Sequence, residues 1–244
     1  MAVYTKINKE DISIINNKFD IEKITSFKGI KKGIENTNYL LKSKNNKFIL
    51  TIFEKRVSSK EIPFFMKLMD KLNRSRINCP KPLKNNNGSY LIRLKNKTAC
   101  IVSFMRGKDK NKLNLKNCFE VGKIIAQMRS VTKDIKISRK NSMGIKNLDP
   151  LLKSIKFKSK KFNNLESFLK DNLKDIKKNW PKKLPNGIIH GDLFIDNIFF
   201  QNNKLSGVID FYFAANDYFM YELAICINAP VSYTHLTLPT RDDV

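Results

Sequence analysis

Two short motifs late in the chain concentrate the residue types that phosphate chemistry requires. In GIIHGDLFIDNIFFQNNKLSGVIDF, His190 is followed two residues later by Asp192 and five residues after that by Asn197, and Asp210 comes thirteen residues further on, in Ile209-Asp210-Phe211. Phosphoryl transfer to a hydroxyl is governed by positioning and electrostatic stabilisation rather than by covalent chemistry from the protein. One carboxylate must accept the acceptor's proton, while a second carboxylate and an amide hold Mg²⁺ against a triphosphate, because that hard cation takes oxygen ligands and few protein groups. Asp192 fits the base, Asn197 and Asp210 fit the metal ligands, and His190 fits a residue that orients the loop by hydrogen bonding. A lone Asp-x-x-x-x-Asn is an ordinary capped turn. The joint occurrence with one of only two histidines, between short strands, favours the chemical reading.

These side chains converge only if the surrounding elements bring them together. GIIH reads as a short strand, and IFF and LSGVI as two strands joined by the QNNK turn, so that Asp210 ends a hairpin whose first strand starts beside Asn197. DYFMYELAICINA reads as helical. Upstream, residues 23–56 alternate apolar and polar positions between turn-rich interruptions, which predicts three antiparallel strands. Ile62, Phe65, Leu68, Met69 and Leu72 recur at helical spacing between Ser59 and Arg74, with Pro63 tolerable in the first turn. SYLIRL and TACIVSF add two strands, so the first hundred residues read as five strands and one helix. Composition turns polar at RGKDKNKLN, and helical periodicity returns from Asn117 and again from about Asn163 to Lys178.

The motif spacing resembles the catalytic and metal-binding loops of the protein-kinase-like superfamily, and the Gly191-Asp192 pair is typical of its aminoglycoside phosphotransferase and choline kinase branch. Within that branch the sequence is most similar to bacterial homoserine kinases. The similarity runs from MAVYTKI at the start through SFKGIKKGIENTNYLL, FILTIFEKR, IPFFMKLMDKL and NCPKP to HGDLFIDNIFF and LSGVIDFYFAANDYFMYELAICINA. The resemblance implies a two-lobed α+β kinase-like fold, with an N-terminal nucleotide-binding sheet lobe over residues 1–104 and a helical catalytic and substrate lobe over 105–229. It further implies ATP and Mg²⁺ as cofactors and phosphorylation of L-homoserine on the way to threonine. The rival readings are another small-molecule kinase of the same branch and a basic polyanion-binding protein.

Nucleotide contacts are less sharply written. Gly29 and Gly33 flank a loop between the first two strands that reads either as a plain hairpin turn or as a place where backbone amides approach phosphates. The resemblance implies the latter, with Asn36 and Asn38 as polar contacts. It places Ser103, Phe104 and Met105 at the hinge that binds adenine, although these residues also read as ordinary strand. The resemblance implies that the lysine kinases carry on the third strand is replaced by Thr51, as in homoserine kinases, and Lys32, Lys55 and Arg56 read either as a substitute charge or as solvated surface residues. Met128-Arg129 stands where the family usually has a leucine-histidine pair. Asp217 and Glu222 lie beyond the catalytic hairpin and read either as partners for a substrate ammonium group or as exposed helix acids.

Composition narrows the remaining choices. The formal charge is +25, but lysine is spread from end to end and travels with Asn and Ile, as nucleotide bias in the genome produces, so no specific nucleic-acid partner is expected. No apolar run approaches a membrane span and the N-terminus lacks a signal-peptide core, which predicts a cytoplasmic protein with no membrane partner. Cys79, Cys100, Cys118 and Cys226 form no C-x-x-C pair and are expected to be reduced core thiols. Residues 230–244, including His235, resemble a translated sequencing-library adapter and are expected to be a non-native tail in place of the natural C-terminus.

Overall fold

Thr37, Tyr39 and Leu41 are buried while the residues between them are less so, the alternation of a half-buried strand. The computed structural model describes residues 3–31, 35–54, 57–155 and 163–231. In it, strands β1 (Ser26–Gly29), β2 (Thr37–Lys42), β3 (Lys47–Ile52), β4 (Leu91–Leu94) and β5 (Lys97–Ser103) form one antiparallel sheet in the order β1-β2-β3-β5-β4. Register is explicit at its centre, where Thr51 lies opposite Asn38 on one side and Cys100 on the other. The β4–β5 turn is carried by Lys95 and Asn96, both at positive φ, the geometry that a tight hairpin twist demands.

The sheet separates two cores. Leu50, Ile52, Ala99 and Ile101 face one side, where they pack with Ile12, Ile15 and Phe19. Those three belong to or follow helix α1 (Lys9–Lys18), which the sequence reading missed: the described residues up to Ser103 hold five strands and two helices. A signal was present, because Asn8 and Asp11 form a reciprocal capping box ahead of Ile12 and Ile15. Cys100 and Val102 face the other side, toward helix α2 (Ile62–Arg74). Every residue on the predicted apolar face of α2 is buried, together with Phe64 and Met66. Pro63 sits in the first turn, where its missing N–H costs nothing.

Beyond Ser103 helices dominate: α3 (Leu115–Thr132), α4 (Leu148–Ser154), α5 (Asn163–Asn179) and α6 (Phe219–Val231). Helix α3 opens on a capping box between Asn114 and Asn117. The core on the α2 side continues into this lobe through Val121, Ile124, Met128, Ile188 and Leu193. Met128 is thus core, and the Arg129 guanidinium lies 4.5 Å from the Phe219 ring centroid. Four short strands complete the described part of the lobe. Strand β6 (Asn186–Ile189) pairs with β9 (Ala215–Tyr218), and β7 (Ile198–Gln201) pairs with β8 (Lys204–Val208) across Asn202 and Asn203, both left-handed as a two-residue turn requires. Strand β9 corrects the all-helical reading of DYFMYELAICINA, since Asp217 and Tyr218 are extended and the helix begins at Phe219.

Of the expected tail, Pro230 and Val231 continue α6 and residues 232–244 lie outside those described. Cys79 and Cys100 are buried and Cys226 half-buried, whereas Cys118 is exposed rather than part of a core. No helix among the described residues is long and apolar enough to cross a membrane.

Candidate active site

Strand β6 delivers His190 to the base of a loop that its own hydrogen bonds hold in shape. The ring is 2% exposed; Nε2–H donates to the carbonyl of Ile209 at 2.9 Å, and Nδ1 accepts the N–H of Asp192 at 3.3 Å. Both nitrogens are committed in the neutral form, and burial lowers the imidazole pKa from 6.5 to about 4 despite the Ile209 bond. His190 therefore ties the loop to the end of β8, and its imidazole is neutral near pH 7.

Gly191 takes φ +76°, and a Cβ there would stand 2.9 Å from the carbonyl oxygen of Phe213. Its N–H donates to Glu222 Oε2 at 3.0 Å. Glu222 is 2% exposed, and its Oε1 has no hydrogen-bond partner among the described residues. Burial, with some help from the nearby Asp192 charge, raises its pKa from 4.5 to about 7 against the hydrogen bonds from Gly191 and His190. Glu222 is thus a buried acid bonded to the loop rather than an exposed helix acid.

The half-buried Asp192 is oriented by Asn197, whose Nδ2 donates to the Asp192 carbonyl at 2.8 Å and to its carboxylate at 3.0 Å. With the amide nitrogen spent on Asp192, the Asn197 oxygen is the atom suited to a cation. The N–H of Ile209 donates to the Asn197 carbonyl at 2.9 Å, so the hairpin seats Asp210 next to Asn197, as its length predicts. Asp210 is exposed and left-handed, at φ 63° and ψ 59°, a conformation Asp tolerates better than most residues and one that recurs at functional sites. Asp217 is not part of this group. It lies opposite Gly187 on β9 and accepts the Asn141 side-chain N–H at 2.7 Å.

On the sheet side, Gly29 ends β1 against Val3, and Gly33 lies outside the described residues, as do Lys32, Lys55 and Arg56. Asn36 is buried with its oxygen toward the N–H of Glu54 at 3.4 Å. Thr51 donates to Asn38 Oδ1 at 2.8 Å and accepts the hydroxyl of Tyr212 at 3.4 Å. Thr51 of β3 thus belongs to a neutral polar chain from Asn38 to Tyr212, two residues beyond Asp210. Tyr212 is fixed edge-on against Phe53 and Phe65, at 5.0 and 5.7 Å between centroids. Sequence reasoning missed Tyr212, whose only signal was its place directly after Asp210-Phe211.

At the hinge, the Ser103 N–H donates to the Lys81 carbonyl at 2.8 Å and the Phe104 N–H to the Lys47 carbonyl at 3.2 Å, while Ser103 Oγ accepts the Lys81 N–H at 2.9 Å. The Met105 side chain covers Gly207 of β8, where an added Cβ would meet its Cε at 2.2 Å. The N–H groups of Ser103 and Phe104 and the Met105 side chain are thus engaged within the protein.

The sequence profile of the phosphotransferase enzyme family matches residues 26–238. Homoserine kinase from Parvibaculum lavamentivorans is 41% identical over 230 residues, covering 94% of this chain and 72% of that protein. Homoserine kinase from Bartonella henselae is 40% identical over 240 residues, with the same coverage. Among solved structures, an amicoumacin kinase in complex with AMP-PNP, Ca²⁺ and its ligand superposes with a TM-score of 0.77 at 14% identity, covering 97% of this chain and 72% of that one. A microcompartment-associated aminopropanol kinase gives a TM-score of 0.66 at 14% identity over 90% of this chain and 73% of its own.

Proposed function

The chain belongs to the phosphotransferase enzyme family, among its homoserine kinases, and from that premise we infer that it transfers the γ-phosphoryl group of ATP to the side-chain hydroxyl of L-homoserine. The products are ADP and O-phospho-L-homoserine. The observation that carries the reaction class is the Asp192–Asn197 pair seated beside Asp210 on one loop and hairpin.

Asp192, held by Asn197, takes the proton of the attacking hydroxyl as that oxygen bonds to phosphorus and ADP departs. The Asn197 oxygen and the Asp210 carboxylate suit Mg²⁺, since both are hard donors. Mg²⁺ takes few protein groups and completes its shell with phosphate and water. When bound, Mg²⁺ supplies charge neutralisation on the triphosphate. His190 and Glu222 keep the loop in place from below.

The sheet lobe, bounded at about residue 104, offers the loop between Gly29 and Asn36 to the phosphates, Asn38 to polar contact, and the Ser103–Met105 hinge to adenine. Asp217, steadied by Asn141, is the acid proposed to meet the substrate ammonium group. The reading places the enzyme in the cytoplasm, with no membrane or nucleic-acid partner. Asp192→Asn is expected to lower turnover by about 10² to 10⁴ while leaving nucleotide affinity nearly unchanged. Steady-state kinetics and nucleotide titration check this, and near wild-type turnover in the variant would remove Asp192 from the role of base.

A further inference from the structure

Arg139 lies between α3 and α4, in a lysine-rich stretch with no sequence signal of function. Its backbone is docked on the start of β9: the N–H donates to Asn216 Oδ1 at 2.9 Å, and the carbonyl accepts the Asn216 N–H at 2.8 Å. Its side chain, only 7% exposed, runs back toward the sheet lobe. Nε meets Glu61 Oε1 at 2.7 Å, and the guanidinium lies 5.1 Å from the centroid of the Phe65 ring. Nη1 donates to the carbonyl of Ala214 at 3.2 Å and, more weakly, to that of Phe213 at 3.5 Å.

Glu61 stands at the N-cap position of α2 and Phe65 belongs to that helix, whereas Phe213 and Ala214 close the short turn that begins at Asp210. One buried guanidinium thus joins α2, the segment before α4 and the turn behind Asp210. A planar fork can serve an acid and a carbonyl at once, which the point charge of lysine does poorly. The turn needs such a hold, because a left-handed non-glycine residue persists only where its surroundings fix it.

We propose that Arg139 is a positioning residue for phosphoryl transfer, coupling helix α2 of the sheet lobe to the turn that carries Asp210. The proposal deepens the site described above and rests on the reading of Asp210 as a Mg²⁺ ligand.

The test uses the full chain with Arg139→Lys, Arg139→Met and Glu61→Gln, and Asp210→Asn as a reference. Backbone hydrogen exchange is measured over residues 211–216, and AMP-PNP affinity is measured by calorimetry with and without Mg²⁺. Arg139→Lys is expected to speed exchange in that segment about tenfold without changing β2, β3 and β5, and to cut the Mg²⁺-dependent gain in AMP-PNP affinity about tenfold, within the usual range of coupling between linked sites. Glu61→Gln should act in the same direction by less. Unchanged exchange and affinity in Arg139→Lys, or exchange rising equally throughout the chain, overturns the proposal. If Arg139→Met does not fold, the other two variants still decide. If Asp210→Asn keeps the full Mg²⁺-dependent gain, the metal reading fails by itself, and the exchange contrast alone then decides whether Arg139 holds the turn.

Discussion

At the residue scale, His190 and Glu222 are two buried titratable groups bonded to one loop, shifted in opposite directions by the same desolvation. Burial lowers His190 from 6.5 to about 4, so the folded protein binds fewer protons than the unfolded chain between those values, and stability from this group is lost as pH falls through the window. Burial raises Glu222 from 4.5 to about 7, so the folded protein binds more protons there, and stability from this group is lost as pH rises through its window. Each effect amounts to roughly 3 kcal/mol at about 1.4 kcal/mol per pH unit, and the two nearly cancel in the intact protein. Glu222→Gln is therefore expected to expose a loss of stability as pH falls from 6.5 toward 4, and His190→Asn a loss as pH rises from 4.5 toward 7. Urea unfolding of both variants across this range checks the pair. Profiles parallel to the wild type in both variants would mean that the shifts are absent.

At the element scale, the loop of the candidate site depends on a backbone that only glycine supplies. Gly191 combines φ +76° with a Phe213 carbonyl 2.9 Å from any added Cβ. Gly191→Ala is expected to cost about 1–3 kcal/mol of stability and to lower turnover at least tenfold, because relief of the clash moves Asp192 or the turn behind Asp210. Denaturation together with kinetics checks this; an alanine variant of full activity would show that the loop tolerates another path. The elements legible in the sequence were those with strong periodicity or turn chemistry: α2 through its apolar face, and the β7–β8 hairpin through Asn202-Asn203. Helix α1 escaped because its few apolar positions sit among Lys, Asn and Asp, and β9 because its residues read as the first turn of α6. Within the candidate site, the approach of Asp192, Asn197 and Asp210 on one loop and hairpin was legible from spacing. The burial of Glu222 was not legible because sequence cannot tell which face of α6 meets the loop, and the contacts of Arg139 were not because its partners lie 74 to 78 residues away.

At the scale of the whole molecule, two lobes share one core through α2, and the functional loop closes against both through Tyr212, His190 and Arg139. The charge of +25 is distributed rather than gathered. Binding to duplex DNA is accordingly expected to be detectable at about 20 mM salt and lost near 150 mM, as counterion release dictates for a diffuse lysine surface. Fluorescence anisotropy over a salt series checks it, and tight binding that survives physiological salt would favour a polyanion-binding role. The chain spans 72% of the length of the homoserine kinases it matches, and those relatives supply the identity of the acceptor. The most direct measurement is ADP release from ATP and Mg²⁺ with L-homoserine, choline, aminopropanol and an aminoglycoside offered separately, and with the Asp192→Asn variant run alongside. Release should depend on L-homoserine and fall with the loss of Asp192. Turnover on another of these acceptors with none on L-homoserine, or homoserine-dependent release untouched by Asp192→Asn, would contradict the account.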